Sequence, residues 1–325
     1  MDINELKKQF PDESSCRLFF ESMIWSSGRT CPHCGSIKSW TIKGQSAREG
    51  LYECSGCGLQ FTVTTKTPMH STKLPLLTWL MAMYLIASSS KGMSSVVLGR
   101  IIGTTQKTAW KLGHAIRSMM AAVPTELPLL MGVVELDEKY LGGRPRFQEG
   151  VKHKGGKGTA KQCIAVAIER EGSVKASLVS HDGETVLGPF VKGAVDPTAY
   201  LMSDHNPSYV KIAECFAGHS FVDHGEREYA RGEVHNNTAE SFNSILERAK
   251  VGVFHYISKK HMQRYVDEAA FRWNQRFPDG TRTRKGKEKV VMKPLPVIEK
   301  IQNLLRVALN IQIRWTPKSS IYAIS

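Results

Sequence analysis

A mixed α/β chain of several modules is predicted by three observations: short apolar runs that end in acids, stretches at helical spacing, and two Cys-x-x-Cys pairs near the start. The acid-ended runs are Val133-Val134-Glu135-Leu136-Asp137 and Tyr200-Leu201-Met202-Ser203-Asp204, each reading as a buried strand that delivers a carboxylate. Asp204 follows Asp137 by 67 positions, and 35 residues separate it from Glu240. Glu240 lies in His235-Asn236-Asn237-Thr238-Ala239-Glu240-Ser241-Phe242, which reads as a helix start.

A chain of 325 residues can bury one sizeable core with one or two smaller modules beside it. Its net charge of +14 points to a polyanionic partner, because clustered Lys and Arg gain affinity by releasing counterions from a phosphate backbone. The longest apolar stretch, Leu74 to Ala87, is too short to span a bilayer, which disfavours a membrane. No signal-peptide pattern opens the chain, so a cytoplasmic protein with reduced thiols is expected.

The first module, residues 1–70, holds the cysteine pairs. Cys31-Pro-His-Cys34-Gly35 and Cys54-Ser-Gly-Cys57-Gly58 are separated by 19 residues, the arrangement of a four-cysteine zinc ribbon. Two thiolates three positions apart chelate one ion from a tight turn, and a fold this small needs its metal to form, so the zinc is structural. Ser39 to Ile42, Gly50 to Glu53 and Phe61 to Thr64 read as three short strands. The seven cysteines are an odd number, which argues against a complete disulfide framework.

Residues 71–126 are helical. Leu74, Leu77, Leu80, Met81 and Tyr84 fall at helical spacing, and Ser94 to Trp110 reads as helix, Gly-containing turn and second helix. This is the helix-turn-helix order, with Gln106, Lys107, Lys111, His114 and Arg117 offered to DNA; an ordinary helical hairpin is the alternative.

Residues 127–278 form the largest unit. Cys163 to Arg170 and Val174 to Ser180 flank a Glu171-Gly172-Ser173 hairpin signal, a helix covers Gly183 to Lys192, and further helices cover about 238–250 and 258–275. An acid-bearing strand, hairpin partner, crossover, second acid-bearing strand and acid-bearing helix is the element order of a ribonuclease-H-like, retroviral-integrase-like core. Arg144 to Lys161 is a basic, Gly-rich loop, either a phosphate contact through Lys152, Lys154 and Lys157 or a solvated insertion. Residues 279–325 read as a basic linker followed by a helix around Leu295 to Leu309 and a tail.

Phosphodiester chemistry needs an in-line nucleophile and a leaving oxygen, both stabilised by divalent ions about 4 Å apart that carboxylates hold. Asp137, Asp204 and Glu240 can supply that cradle. Each also has a local explanation: Asp137 and Asp204 as turn acids, and Glu240 as the fourth residue of a capping box begun by Asn237.

The residues resemble bacterial insertion-sequence DDE transposases with an N-terminal zinc ribbon, related to the eukaryotic Merlin elements. The resemblance runs through both cysteine knuckles, Lys107-Thr108-Ala109-Trp110, Val134 to Gly143, His235 to Phe242 and Lys260 to Glu268. It implies catalysis with Mg2+ or Mn2+, with Asp137, Asp204 and Glu240 as the triad and Asn237 as an assisting neighbour. It also implies double-stranded DNA partners (element ends and target), an assembly of at least two copies on DNA, and a bacterial, nucleoid-associated setting. One departure stands out: Glu247 occupies a place where the family carries a basic residue, leaving Arg248 or Lys250 to contact DNA. A domesticated DNA-binding regulator without transfer activity and a structure-selective nuclease are the competing functions.

Overall fold

The computed structural model describes the chain except residues 45–47, 124–127, 144–148, 151–158, 160, 224–229, 285, 316–320 and 325. Two compact units emerge: one joins Met1–Thr125 with Leu295–Ser325, and the other is Glu126–Pro294.

In the first unit, α1 (Ile3–Gln9) and α2 (Glu13–Ile24) precede an antiparallel three-stranded ribbon of β1 (Ser39–Thr41), β2 (Tyr52–Cys54) and β3 (Gln60–Phe61). The third strand is shorter than the Phe61–Thr64 run predicts. Thr65 Oγ1 accepts from the Thr62 amide at 2.9 Å, and this side-chain bond turns the backbone out of the ladder. Helices α3 (Leu76–Ser88), α4 (Ser95–Ile102) and α5 (Gln106–Ala122) follow. The α4–α5 turn forms because Gly103 takes the left-handed φ of 69° that ends α4, and Thr105 Oγ1 accepts from the Thr108 amide to begin α5.

The second unit is built on a sheet of β4 (Val133–Leu141), β5 (Gln162–Glu169), β6 (Val174–Val179), β7 (Tyr200–Asp204) and β8 (Gly218–Val222). Its strand order is β6-β5-β4-β7-β8, antiparallel in the β4–β5–β6 meander and parallel across β4–β7–β8. This is the ribonuclease-H-like arrangement. Strand β5 is buried throughout Cys163–Ile168 because both faces are covered. One face packs Val134, Leu136, Cys163 and Ala165 against α6 (Glu184–Ala194) and α7 (Pro207–Ala213). The other packs Leu141, Ile164, Val166 and Ile168 against α8 (Asn237–Ala249) and α9 (Met262–Asn274), with the short hairpin β9 (Ala230–Arg231) and β10 (Val234–His235) preceding α8.

Edge strand β6 is closed by side chains of α9. Gln263 accepts from the Leu178 amide at 2.7 Å, and Asn274 both accepts from the Val174 amide and donates to its carbonyl. Those amides imitate a neighbouring strand and blunt the edge against further pairing.

The C-terminal region departs from the linker reading. Residues 279–294 belong to an antiparallel hairpin of β11 (Arg276–Arg284) and β12 (Lys287–Pro294), with Gly286 at φ 73° in the connection. Its Arg, Lys and Thr content hides the alternation that normally marks a strand. Helix α10 (Val297–Arg306) then returns to the first unit and packs on α2, α3 and α5, burying Ile301, Leu304 and Leu305. Among the described residues, no helix is long and apolar enough to cross a membrane.

Candidate active site and zinc ribbon

In the ribbon, the sulfurs of Cys31 and Cys57 are 3.8 Å apart and those of Cys34 and Cys54 are 3.5 Å apart. A zinc ion bound tetrahedrally at about 2.3 Å from each sulfur requires edges of about 3.8 Å, so the four thiols fit the ion. Backbone amides of His33 and Gly56 point at the sulfurs of Cys31 and Cys54. Gly35 and Gly58, at φ 78° and 68°, turn the chain back after each pair.

In the second unit, parallel pairing aligns Glu135 with Met202, so two residues further on the strands deliver Asp137 and Asp204 side by side. One carboxylate oxygen from each of Asp137, Glu138 and Asp204 lies within 4.8 Å of the other two. Burial, and then the charge of Asp204, push the Asp137 carboxyl up to about 7. Glu138 is pushed up to about 8, chiefly by burial, although hydrogen bonds from Tyr209 and Asn206 oppose the rise.

Glu135, Asp137 and Lys139 share the face of β4 that meets α8. Each finds its partner about one helical turn further along. Glu135 is fully buried and accepts from the Thr238 amide at 2.7 Å, the Ala239 amide at 3.1 Å and the Thr238 hydroxyl at 3.0 Å. Arg170 Nε donates to the same carboxylate at 2.7 Å. A strand residue thus caps the helix from outside, satisfying amides that the N-cap residue Asn236 leaves free; Asn236 instead donates to the Leu136 carbonyl at 3.0 Å. Asn243 donates to Asp137 at 2.7 Å, and Lys139 lies 3.9 Å from Glu247.

Glu240 sits in the first turn of α8, exposed, with its charge among those that raise Asp137. It is not one of the three carboxylates in the 4.8 Å cluster. The capping-box explanation for it does not hold, since α8 begins at Asn237 and its cap comes from Glu135. Asn237 is exposed at the first position of the helix.

The basic residues divide. Lys107, Lys111 and Arg248 are exposed, and Gln106 is exposed while donating to Ser95 across the helix pair at 2.8 Å. Arg117 corrects the sequence reading: it is 3 % exposed, because α5 is buried on all sides from Leu112 to Met120, and the bare Gly113 leaves room for its guanidinium. His114 is buried with it. Lys250 is ion-paired with Glu247 at 3.0 Å, so it is not an unengaged DNA contact. Lys152, Lys154 and Lys157 lie outside the described residues.

Sequence reasoning missed two site residues. Asn243 is signalled by a polar side chain between Phe242 and Leu246 on the apolar face of α8, three residues after Glu240. Glu138 gives no signal, because strand alternation assigns it to the opposite face from Asp137.

Comparison with known proteins decides the family. Residues 129–274 match the ISXO2-like transposase domain and residues 11–60 match the transposase zinc-ribbon domain, together more than half of the chain. The chain carries an ISXO2-like transposase domain behind a transposase zinc ribbon. A protein of transposable element ISH50 from Halobacterium salinarum is 25% identical to this transposase over 265 residues, covering 74% of this chain and 84% of the relative. Two Mos1 transposase structures, a paired-end complex with the left transposon end and a strand transfer complex, align with 59% of this chain and 70% of theirs, at 9% and 10% identity. Their TM-score is 0.27, too little shared backbone to carry an argument about residues. The matched domains support zinc in the ribbon and imply a divalent metal for the transposase domain.

Three outcomes follow from this geometry. Glu135→Ala leaves Arg170 and two helix amides without their partner, so a loss of about 3–5 kcal/mol in denaturant unfolding is expected. The folded protein holds protons on Asp137 and Glu138 that an unfolded chain releases near pH 4, so raising the pH from 4 towards 8 lowers stability. The melting temperature without divalent ions should therefore fall between pH 6 and pH 8, and Mg2+ should reverse the fall; a pH-independent difference between Mg2+ and chelator would contradict it. Cys54→Ser should reduce bound zinc, measured by elemental analysis, from about one ion per chain to background.

Proposed function

We propose that this transposase binds the inverted-repeat ends of an insertion sequence, hydrolyses a phosphodiester at each end and joins the freed 3′-hydroxyl to target DNA. The observation that carries the reading is the convergence of Asp137, midway along β4, and Asp204, at the end of the parallel neighbour β7, beneath a helix that supplies Glu240 and Asn243. Asp137, Asp204 and Glu240 would hold Mg2+ or Mn2+, which activates the attacking oxygen and stabilises the leaving one. Asn243 fixes the orientation of the Asp137 carboxylate, and the Glu135 cap fixes the helix that carries both Asn243 and Glu240. Positioning of this kind is the protein's main contribution to phosphoryl transfer.

Exposed Lys107 and Lys111 on α5, Gln106 beside them and Arg248 on α8 supply DNA contacts, supporting the ribbon and helix-turn-helix as end-recognition modules. Holding two ends requires at least two copies of the chain on DNA, in a cytoplasmic, nucleoid-associated setting. The observation that would favour a regulator without transfer activity was Glu247 in a normally basic place, and its ion pairs with Lys139 and Lys250 give that acid a structural role.

The test is to incubate labelled element ends and plasmid target with the protein in Mg2+, following binding, nicking and joined product. Nicking with joining is expected. Binding alone supports the regulator, and cutting of branched DNA without joining supports the nuclease. Asp204→Asn should reduce nicking to background, and Asn243→Ala should slow it about 10–100-fold while leaving end binding intact. Full cleavage by Asp204→Asn would remove that residue from the site.

A further inference from the structure

Buried acids on β4 fall into two kinds. Glu135 is neutralised within the protein, by Arg170 and by helix amides. Asp137 and Glu138 are not: among the described residues neither forms an ion pair with Lys or Arg. Carboxylates this close, with no Lys or Arg paired to them among the described residues, form a setting that suits a cation.

Glu138 is the unexpected member. Alternation along β4 sends it to the face opposite Asp137, towards α7. There Asn206 Nδ2 donates to it at 2.9 Å, and the hydroxyl of Tyr209, 1 % exposed, bonds to it as well. Two neutral donors on one carboxylate hold it at the Asp137–Asp204 pair. A second observation points to a ligand at the same place. Asn243, 5 % exposed, gives its amide nitrogen to Asp137, while its Oδ1 is buried with no hydrogen-bond partner. A buried acceptor left open beside the carboxylates is what a cation-bound water would fill.

We propose that Glu138 is a direct ligand of a divalent cation, and that the site competent to bind this ion without DNA consists of Asp137, Glu138 and Asp204, with Glu240 outside it. This deepens the transposase reading, on which the presence of the cation rests. A hard ion with oxygens at about 2.1 Å takes ligand oxygens up to about 4.2 Å apart, so the three carboxylates need only a small closure to meet one. Exposed Glu240 is then left for a second ion, which the DNA phosphate helps to hold. The site has four acids in two classes, three that bind early and one that binds late.

The experiment uses the full, zinc-loaded chain without DNA. Mn2+ binding is titrated by the loss of free-ion electron paramagnetic resonance signal, and thermal stabilisation by Mn2+ is followed in parallel, for wild type, Glu138→Gln, Asp204→Asn and Glu240→Gln. Glu138→Gln and Asp204→Asn should each weaken Mn2+ binding at least tenfold, while Glu240→Gln stays within threefold of wild type. Wild-type affinity in Glu138→Gln, or a loss in Glu240→Gln as large as that in Asp204→Asn, overturns the proposal. If Glu138→Gln loses its circular dichroism spectrum, Glu138→Asp replaces it, with at least threefold weaker binding expected and unchanged affinity overturning the proposal. Because no DNA is present, this result is separable from the strand-transfer assay: Mn2+ affinity can depend on Glu138 even if no joined product forms, and joining can occur even if Glu138 is dispensable for the ion.

Discussion

The Glu135 carboxylate is the constraint on which the second unit depends. It is buried on the central strand, bonded to Arg170, and joined to the first turn of α8 through two amides and a hydroxyl. A helix normally finds its cap in the residue just before it; here the cap is about one hundred positions away in sequence. The register between strand and helix is thereby set at one end, and the Asn243–Asp137 and Lys139–Glu247 contacts follow at successive turns. His235 flanks this network, and burial followed by the Arg170 charge lowers its pKa, so Arg170 provides the lasting countercharge for Glu135.

The same strand shows how one local geometry produces opposite electrostatic solutions. At Glu135 the chain supplies cation and amides together, and the charge is settled once folding is complete. At Asp137 and Glu138 the chain supplies orienting hydrogen bonds without a countercharge, leaving the carboxylates raised towards neutral pH. Perturbed acids concentrate where a protein prepares to receive something, and the contrast within four residues separates the prepared site from the scaffold that holds it.

Much of the architecture was legible in the sequence because its signals are local. Cysteine spacing specifies the ribbon, Gly103 and Thr105 specify the α4–α5 turn, and the apolar runs specify β4, β5 and β7. What was illegible depends on tertiary partners. Arg117 carries a charge that any helical pattern assigns to solvent, and only the packing around α5 and the space at Gly113 reveal that it is interior. The β11–β12 hairpin is masked by its charges, and Glu138 is turned towards the acids by α7, an element that patterning did not identify. Glu247 looked anomalous until its cation appeared on β4, two residues past Asp137.

Helix α10 carries a consequence for biosynthesis. The first unit is discontinuous: it stops at Thr125 and resumes at Leu295, so the entire second unit is an insertion within it. As the ribosome emits the chain, α2, α3 and α5 emerge early, yet the helix that covers them comes last. The inserted unit has all its strands and helices in hand before α10 is made, while α2, α3 and α5 still lack the helix that packs on them. Completion of the N-terminal module thus depends on α10, since a chain that stops short of it has every acid of the site but not the helix that packs on α2, α3 and α5.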